Sequence, residues 1–191
     1  MINRPKLPIR SCSELQTGSL LISTPVNSCN VNAKLLILVA HHSEAGTTGI
    51  ILNKALPGNK YSRNISDKID PVSVQYGGPE YLQCESYLVI YPSIKNGWKD
   101  SIYWSSDIKD LVTIVHFMSD YNIQFGAYRG CIKWEPDELE NELAKKHFWL
   151  TNTYQVNNVL QTGNNSWSTY AKKHGGHYSL LVDEDIPVIY S

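Results

Sequence analysis

KLLILVAHHSEAGTTGIILN, residues 34 to 53, decides the fold class. Its two apolar runs, 34–40 and 48–52, are rich in Leu, Ile and Val and are bounded by Asn or His, which is how short buried strands read. Between them His41, His42 and Glu44 stand in front of a glycine-flanked turn. The run GSLLIS at 18–23 adds a third strand, so a compact β unit is expected in the first third of the chain.

Beyond it, residues 56–71 (LPGNKYSRNISDKIDP) are polar, hold two prolines and a glycine, and show no periodicity, as expected of a surface loop. Residues 72–76 and 87–91 read as strands on either side of Gly77-Gly78-Pro79. In 107–119 (DIKDLVTIVHFMS), Ile108, Leu111, Val112, Val115 and Met118 recur at helical spacing, with Ser106 or Asp107 as N-cap. The alternating bulky positions of IQFGAYRGCIK predict a strand over 123–133. Residues 136–146 (PDELENELAKK) predict a helix with Pro136 in its first turn and Leu139 and Leu143 as its buried stripe. Its acids come first and Lys145 and Lys146 last, the order that complements a helix dipole. A helical turn at 167–173, a stop at Gly175-Gly176 and a strand at 178–182 close the chain.

With 191 residues, 42% hydrophobic, 12 Tyr and 5 Trp, the chain is apolar enough to bury one core. A formal net charge of −1 provides no overall field toward nucleic acid or anionic lipid. The longest apolar run is LLILVA at 35–40, far short of a membrane span, and the segment holding Arg4, Lys6 and Arg10 has no apolar signal core. A cytoplasmic protein is expected. Cys12, Cys29, Cys84 and Cys131 are widely spaced with no CxxC pair, which predicts four unpaired thiols and no zinc site.

GSLLISTP at 18–25, HHSEAGTTGIILNK at 41–54, YGGP at 76–79 and GCIKWEPDELENEL at 130–143 occur in an order and at spacings that resemble the YqgE/AlgH family of small bacterial proteins. The resemblance spans about residues 18–150. It implies a single α+β domain with a bifurcated, partly barrel-like mixed β-sheet flanked by helices, here residues 18–191 after an N-terminal extension of 1–17. The family is commonly labelled as transcriptional regulators, and the resemblance implies no particular reaction or cofactor. Two departures make the surface more charged here: Asp137 and Glu138 precede Leu139 and Glu140 where the family has a small residue and Gln, and Lys133 replaces a small residue before Trp134.

His41 and His42 are adjacent, so on a strand they point to opposite faces and cannot share one metal ion. No metal site is expected. The turn and the Gly77-Gly78 loop match the family pattern together, which suggests that they line a shallow pocket. His42, Glu44 and Asn53 would supply polar side chains, and Gly46, Gly77 and Gly78 exposed backbone donors. The structural alternative makes the histidines strand-end residues and leaves Asn53 satisfying its own turn. No GxxxxGK[ST] or GxGxxG motif follows a strand, so the glycines do not identify a nucleotide site. Cys131 reads as a small buried residue, His116 as the flank of its helix, and HGGH at 174–177 as a helix end with too few ligands for a metal.

Tyr128, Arg129, Lys133 and Trp134, with Glu140 beyond them, form a second candidate surface suited to single-stranded nucleic acid, an anionic peptide or a protein partner. Lys60 and Arg63 add to it only if the fold brings them close, and Trp134 also reads as an anchor packing Leu139 against the sheet. The expected function is therefore regulation or binding, with no catalytic residue and no cofactor. Its partner would be a protein or a small polar ligand, without sequence-specific DNA contact and without a membrane. The competing reading is a hydrolase or transferase acting on a small polar ligand through His42 and Glu44. An enzyme needs a titratable group with a partner in reach, whereas a binding protein needs an exposed patch of defined shape.

Overall fold

The computed structural model describes residues 15–24, 34–58, 60–62, 72–91, 101–117, 123–151, 160 and 166–174. Eight strands in these residues form one sheet: β1 (Leu20–Ser23), β2 (Leu36–Ser43), β3 (Gly46–Ile51), β4 (Val74–Tyr76), β5 (Glu80–Tyr91), β6 (Ser101–Ser105), β7 (Gln124–Trp134) and β8 (Phe148–Thr151). Helices α1 (Ile108–Phe117), α2 (Glu138–Ala144) and α3 (Ser166–His174) pack on it, giving an α+β fold.

The strand order is β6-β5-β7-β3-β2-β1-β8, and every pairing along it is antiparallel. β7 is the branch point. β5 runs along one of its edges, while the other is shared by β3 near Trp134 and by β4, in parallel, near Ala127. The two sharers are tied where they meet, by the Ile51 N–H donating to the Gly77 carbonyl at 2.8 Å. The partly barrel-like closure expected of the fold does not form: β6 and β8 are opposite edges of an open sheet. Closure would require these edges to pair, whereas among the described residues each ends the run after a single partner, β5 or β1.

The continuous apolar runs of β1 and β2 exist because both faces of this part of the sheet are covered. Leu20, Ile22, Leu36, Leu38 and Ile50 meet Trp167, Tyr170 and Ala171 of α3 on one face. Leu21, Ile37, Val39 and Ile51 meet Trp134 and Leu139 on the other. A third cluster sets Leu111 of α1 against Val74, Tyr87, Val89 and Ala127.

The elements differ from the sequence reading in several places. β5 begins at Glu80, seven residues before the predicted 87, because Glu80 already pairs with Cys131. β6 and β8 were not anticipated: both are short edge strands, β6 pairing with the preceding β5 and β8 with the distant β1. Helix α2 begins at Glu138, so Pro136 precedes the helix. Asp137 takes a left-handed conformation (φ 63°) and breaks the helical path, and the Glu138 carboxylate accepts from the Glu135 N–H at 2.9 Å. Asp107, one of the two caps offered for α1, accepts from the Lys109 N–H at 2.8 Å. In the polar 56–71 segment, Ser62 and Lys60 bond to Val72 and Val74, pinning that part beside β4. The predicted turn at 175–176, the strand at 178–182, Arg63, Cys12 and Cys29 lie outside the described residues.

Candidate functional site

A one-residue shift in β2 between Val39 and His41 sets the histidines. His41 pairs with Thr48 and is exposed; His42 pairs with Thr47 and is half-buried. The His42 ring places Nδ1 2.8 Å from the Thr47 hydroxyl and Nε2 3.8 Å from the Glu140 carboxylate on α2. Its backbone N–H donates to the Thr17 hydroxyl at 3.0 Å. Glu44 stands exposed in the turn, so the acid facing the imidazole is Glu140, nearly a hundred residues away. Beside it the Trp134 indole N–H donates to Glu142 at 3.2 Å, and the ring lies over Gly49, where a Cβ would come within 2.7 Å of it. Trp134 and Tyr128 are both buried, so neither offers a face for stacking a base.

Asn53 is 5% exposed, and its side chain closes the start of β2. Oδ1 accepts from the Leu36 N–H at 2.9 Å and Nδ2 donates to the Lys34 carbonyl at 2.8 Å. Gly46 abuts the end of β7, 2.6 Å from the Trp134 carbonyl if given a Cβ. Gly77 and Gly78 press against the middle of β7: an added Cβ would stand 2.3 Å from the Gly130 carbonyl or 2.2 Å from the Cys131 carbonyl carbon. The structure thus brings His42, Trp134 and Glu140 together and stacks Gly77 and Gly78 on Gly130 and Cys131. It turns the Asn53 amide into the fold.

The crowding at Gly130 has a consequence on the neighbouring strand. Glu80 pairs with Cys131 and Glu85 with Arg129, so residues 81–84 of β5 stand opposite Gly130 alone and bulge outward. Tyr81, at φ 54°, and Leu82 are 48% and 45% exposed there. Lys133 lies 4.6 Å above the Tyr81 ring and donates to its hydroxyl at 3.1 Å, a contact that holds the ammonium above its ordinary pKa. Past the bulge, Arg129 Nη2 bonds to Glu85 Oε1, and the Tyr87 hydroxyl donates to Glu85 Oε2 at 3.3 Å. These side chains floor an open hollow of about 450 Å3 whose wall is the start of α1. Tyr81, Leu82 and Glu85 were not singled out from sequence; the signal available was an apolar Leu82 set among polar residues between Pro79 and the strand read from 87.

A family model described as AlgH-like matches residues 20–179. A UPF0301 protein of Chlamydia caviae is 30% identical over 178 residues, covering 87% of this chain and 90% of its own. A UPF0301 protein of Cytophaga hutchinsonii is 24% identical, covering 90% and 97%. Among solved structures, the AlgH protein of Pseudomonas aeruginosa superposes with a TM-score of 0.61 at 16% identity, covering 92% of this chain and 97% of its own. A Corynebacterium diphtheriae protein gives 0.68 at 15% identity, covering 90% and 93%.

Proposed function

The chain belongs to the AlgH-like family of bacterial proteins, and from that premise we propose that it is a cytoplasmic regulatory protein that works by binding a protein partner through the β5 bulge. The observation that carries this is the bulge itself. Tyr81 and Leu82 are large, exposed and adjacent, and the backbone beneath them is locked by Gly77, Gly78 and Gly130. A rigid display of an aromatic and an aliphatic side chain loses little entropy on docking. Lys133 beside Tyr81 supplies a polar group at its rim. Arg129 stands beside this surface, held by Glu85.

Regulation through protein contact, rather than by reading DNA, fits the helices. α2 is acidic, with Glu138, Glu140 and Glu142; α1 carries one Lys and one Asp; and α3 buries Trp167, Tyr170 and Ala171 against the sheet. Among the described residues their lysines are Lys109 on α1 and the exposed Lys172 and Lys173 at the end of α3, fewer than the row of phosphate contacts a recognition helix makes. A hydrolase or transferase working through His42 and Glu44 has less support, since the described contacts of His42 are Thr47, Glu140 and Thr17.

The test is site-specific photocrosslinking from position 82 in living cells, followed by affinity measurement with the partner it identifies. Binding weakened at least about tenfold by Tyr81→Asp/Leu82→Asp, with circular dichroism unchanged, is expected. Undiminished binding by that variant would refute the bulge. Nanomolar, sequence-selective binding to duplex DNA at physiological salt, or turnover of a substrate abolished by His42→Ala, would refute the mode of action.

A further inference from the structure

We propose that the hollow between the β5 bulge and the start of α1 binds a small zwitterion of the amino-acid class, its carboxylate on Arg129 and its ammonium between Glu85 and Asp107. The hollow borders the docking surface proposed above, but the inference does not depend on it.

The hollow measures about 450 Å3, within the range that holds a small organic ligand. Its floor is an ion pair set into the sheet: Arg129 and Glu85 side chains keep only 24% and 17% of their exposure. A partly desolvated pair is weak evidence for stability, because removing both charges from water offsets much of their attraction. The pair is also incomplete. A guanidinium carries five donors, yet among the described residues the hydrogen bond that Arg129 makes is the one from Nη2 to Glu85 Oε1, and Nε is buried with no acceptor. The guanidinium lines the hollow, and its Nη donors beyond the one given to Glu85 are those a second carboxylate would take.

The other walls decide what else the ligand must carry. Glu85 and Asp107 both line the hollow, so it holds two carboxylates against one guanidinium. That balance repels phosphate and other polyanions and favours a ligand that brings a positive group with its carboxylate. Asp107 uses Oδ1 to cap α1 through the Lys109 N–H, and among the described residues its Oδ2 has no protein donor. Gln83 on the bulge and Ser106 before the helix add neutral polar groups at the rim. A simple carboxylate would answer only Arg129, and a simple amine only the acids.

The test titrates the 15N-labelled protein by NMR with L-glutamine and L-lysine, and separately with acetate, ethylammonium and inorganic phosphate. Saturable shifts confined to the amides of Gln83, Glu85, Tyr87, Asp107 and Lys109 are expected for the amino acids, with the single-charge probes and phosphate at least about tenfold weaker. Arg129→Lys could disturb the sheet by leaving Glu85 poorly paired. Asp107→Asn therefore serves as the decisive variant, because asparagine keeps the helix cap. It should weaken amino-acid binding severalfold while leaving the response to acetate no weaker. Equal binding of acetate or phosphate, an Asp107→Asn variant that binds amino acids as before, or no saturable shift up to about 10 mM would each overturn the proposal.

Discussion

Gly130 is where two backbones touch, and replacing it with alanine measures how tightly the sheet is built there. Its φ of +79° alone costs an L-residue about 1–2 kcal/mol. The new Cβ would also stand 2.2 Å from the Gly78 carbonyl oxygen and 2.9 Å from that of Glu80, so the loop must retreat by roughly 0.8 Å to restore a 3.0 Å contact. Forcing an extra methyl group into packed structure adds about 1–3 kcal/mol, for a total of about 2–5 kcal/mol. In a chain of this size each kcal/mol moves Tm by about 2–4 °C. Gly58 is the internal control: its φ is +94°, and a Cβ there meets nothing within 4 Å. Gly58→Ala should therefore cost only the conformational part, about 1–2 kcal/mol. Equilibrium urea unfolding followed by circular dichroism reads both variants. If Gly130→Ala and Gly58→Ala destabilise equally, the close approach of Gly77-Gly78 to β7 is not tight, and the account of the bulge fails with it.

Asn53→Ala should cost about 2–4 kcal/mol, because the buried Leu36 N–H and Lys34 carbonyl both lose their partner; unfolding titration together with faster hydrogen exchange at Leu36 checks it. Burial pushes the Tyr128 hydroxyl and the Cys131 thiol above their ordinary values of 10.0 and 9.0. The unfolded chain then gives up these protons first as pH rises. Stability is full below about pH 9 and falls above it, and Tm plotted from pH 8 to 10.5 should decline less steeply for Tyr128→Phe than for the wild type. Equal slopes would show that Tyr128 is not buried in solution. The exposed Cys84 should react with a thiol reagent far faster than the buried Cys131, and in denaturant without reductant all four cysteines should titrate as free thiols.

What the sequence determined by itself was whatever depends on neighbours along the chain. The apolar runs that became β1, β2 and β3, the helical stripe Ile108-Leu111-Val115 (though Val112, read with it, is exposed and Met118 lies outside the described residues), the Asp107 cap and the Leu139 anchor are local patterns, legible because burial imposes its period on a single element. The family, too, was legible, since it rests on four short segments in order. The tertiary structure alone decided which groups meet. His42 faces Glu140 rather than the nearby Glu44 because α2 crosses the end of β7 beside it. The Asn53 amide turns inward because Leu36 and Lys34, strand neighbours but distant in sequence, leave a donor and an acceptor unpaired there. Arg129 finds Glu85, and Tyr81 and Leu82 are thrust outward, because four residues of β5 must pass the single Gly130 of β7. Register between strands is a property of the pair, set by where two backbones can approach, and no window along one chain segment contains it.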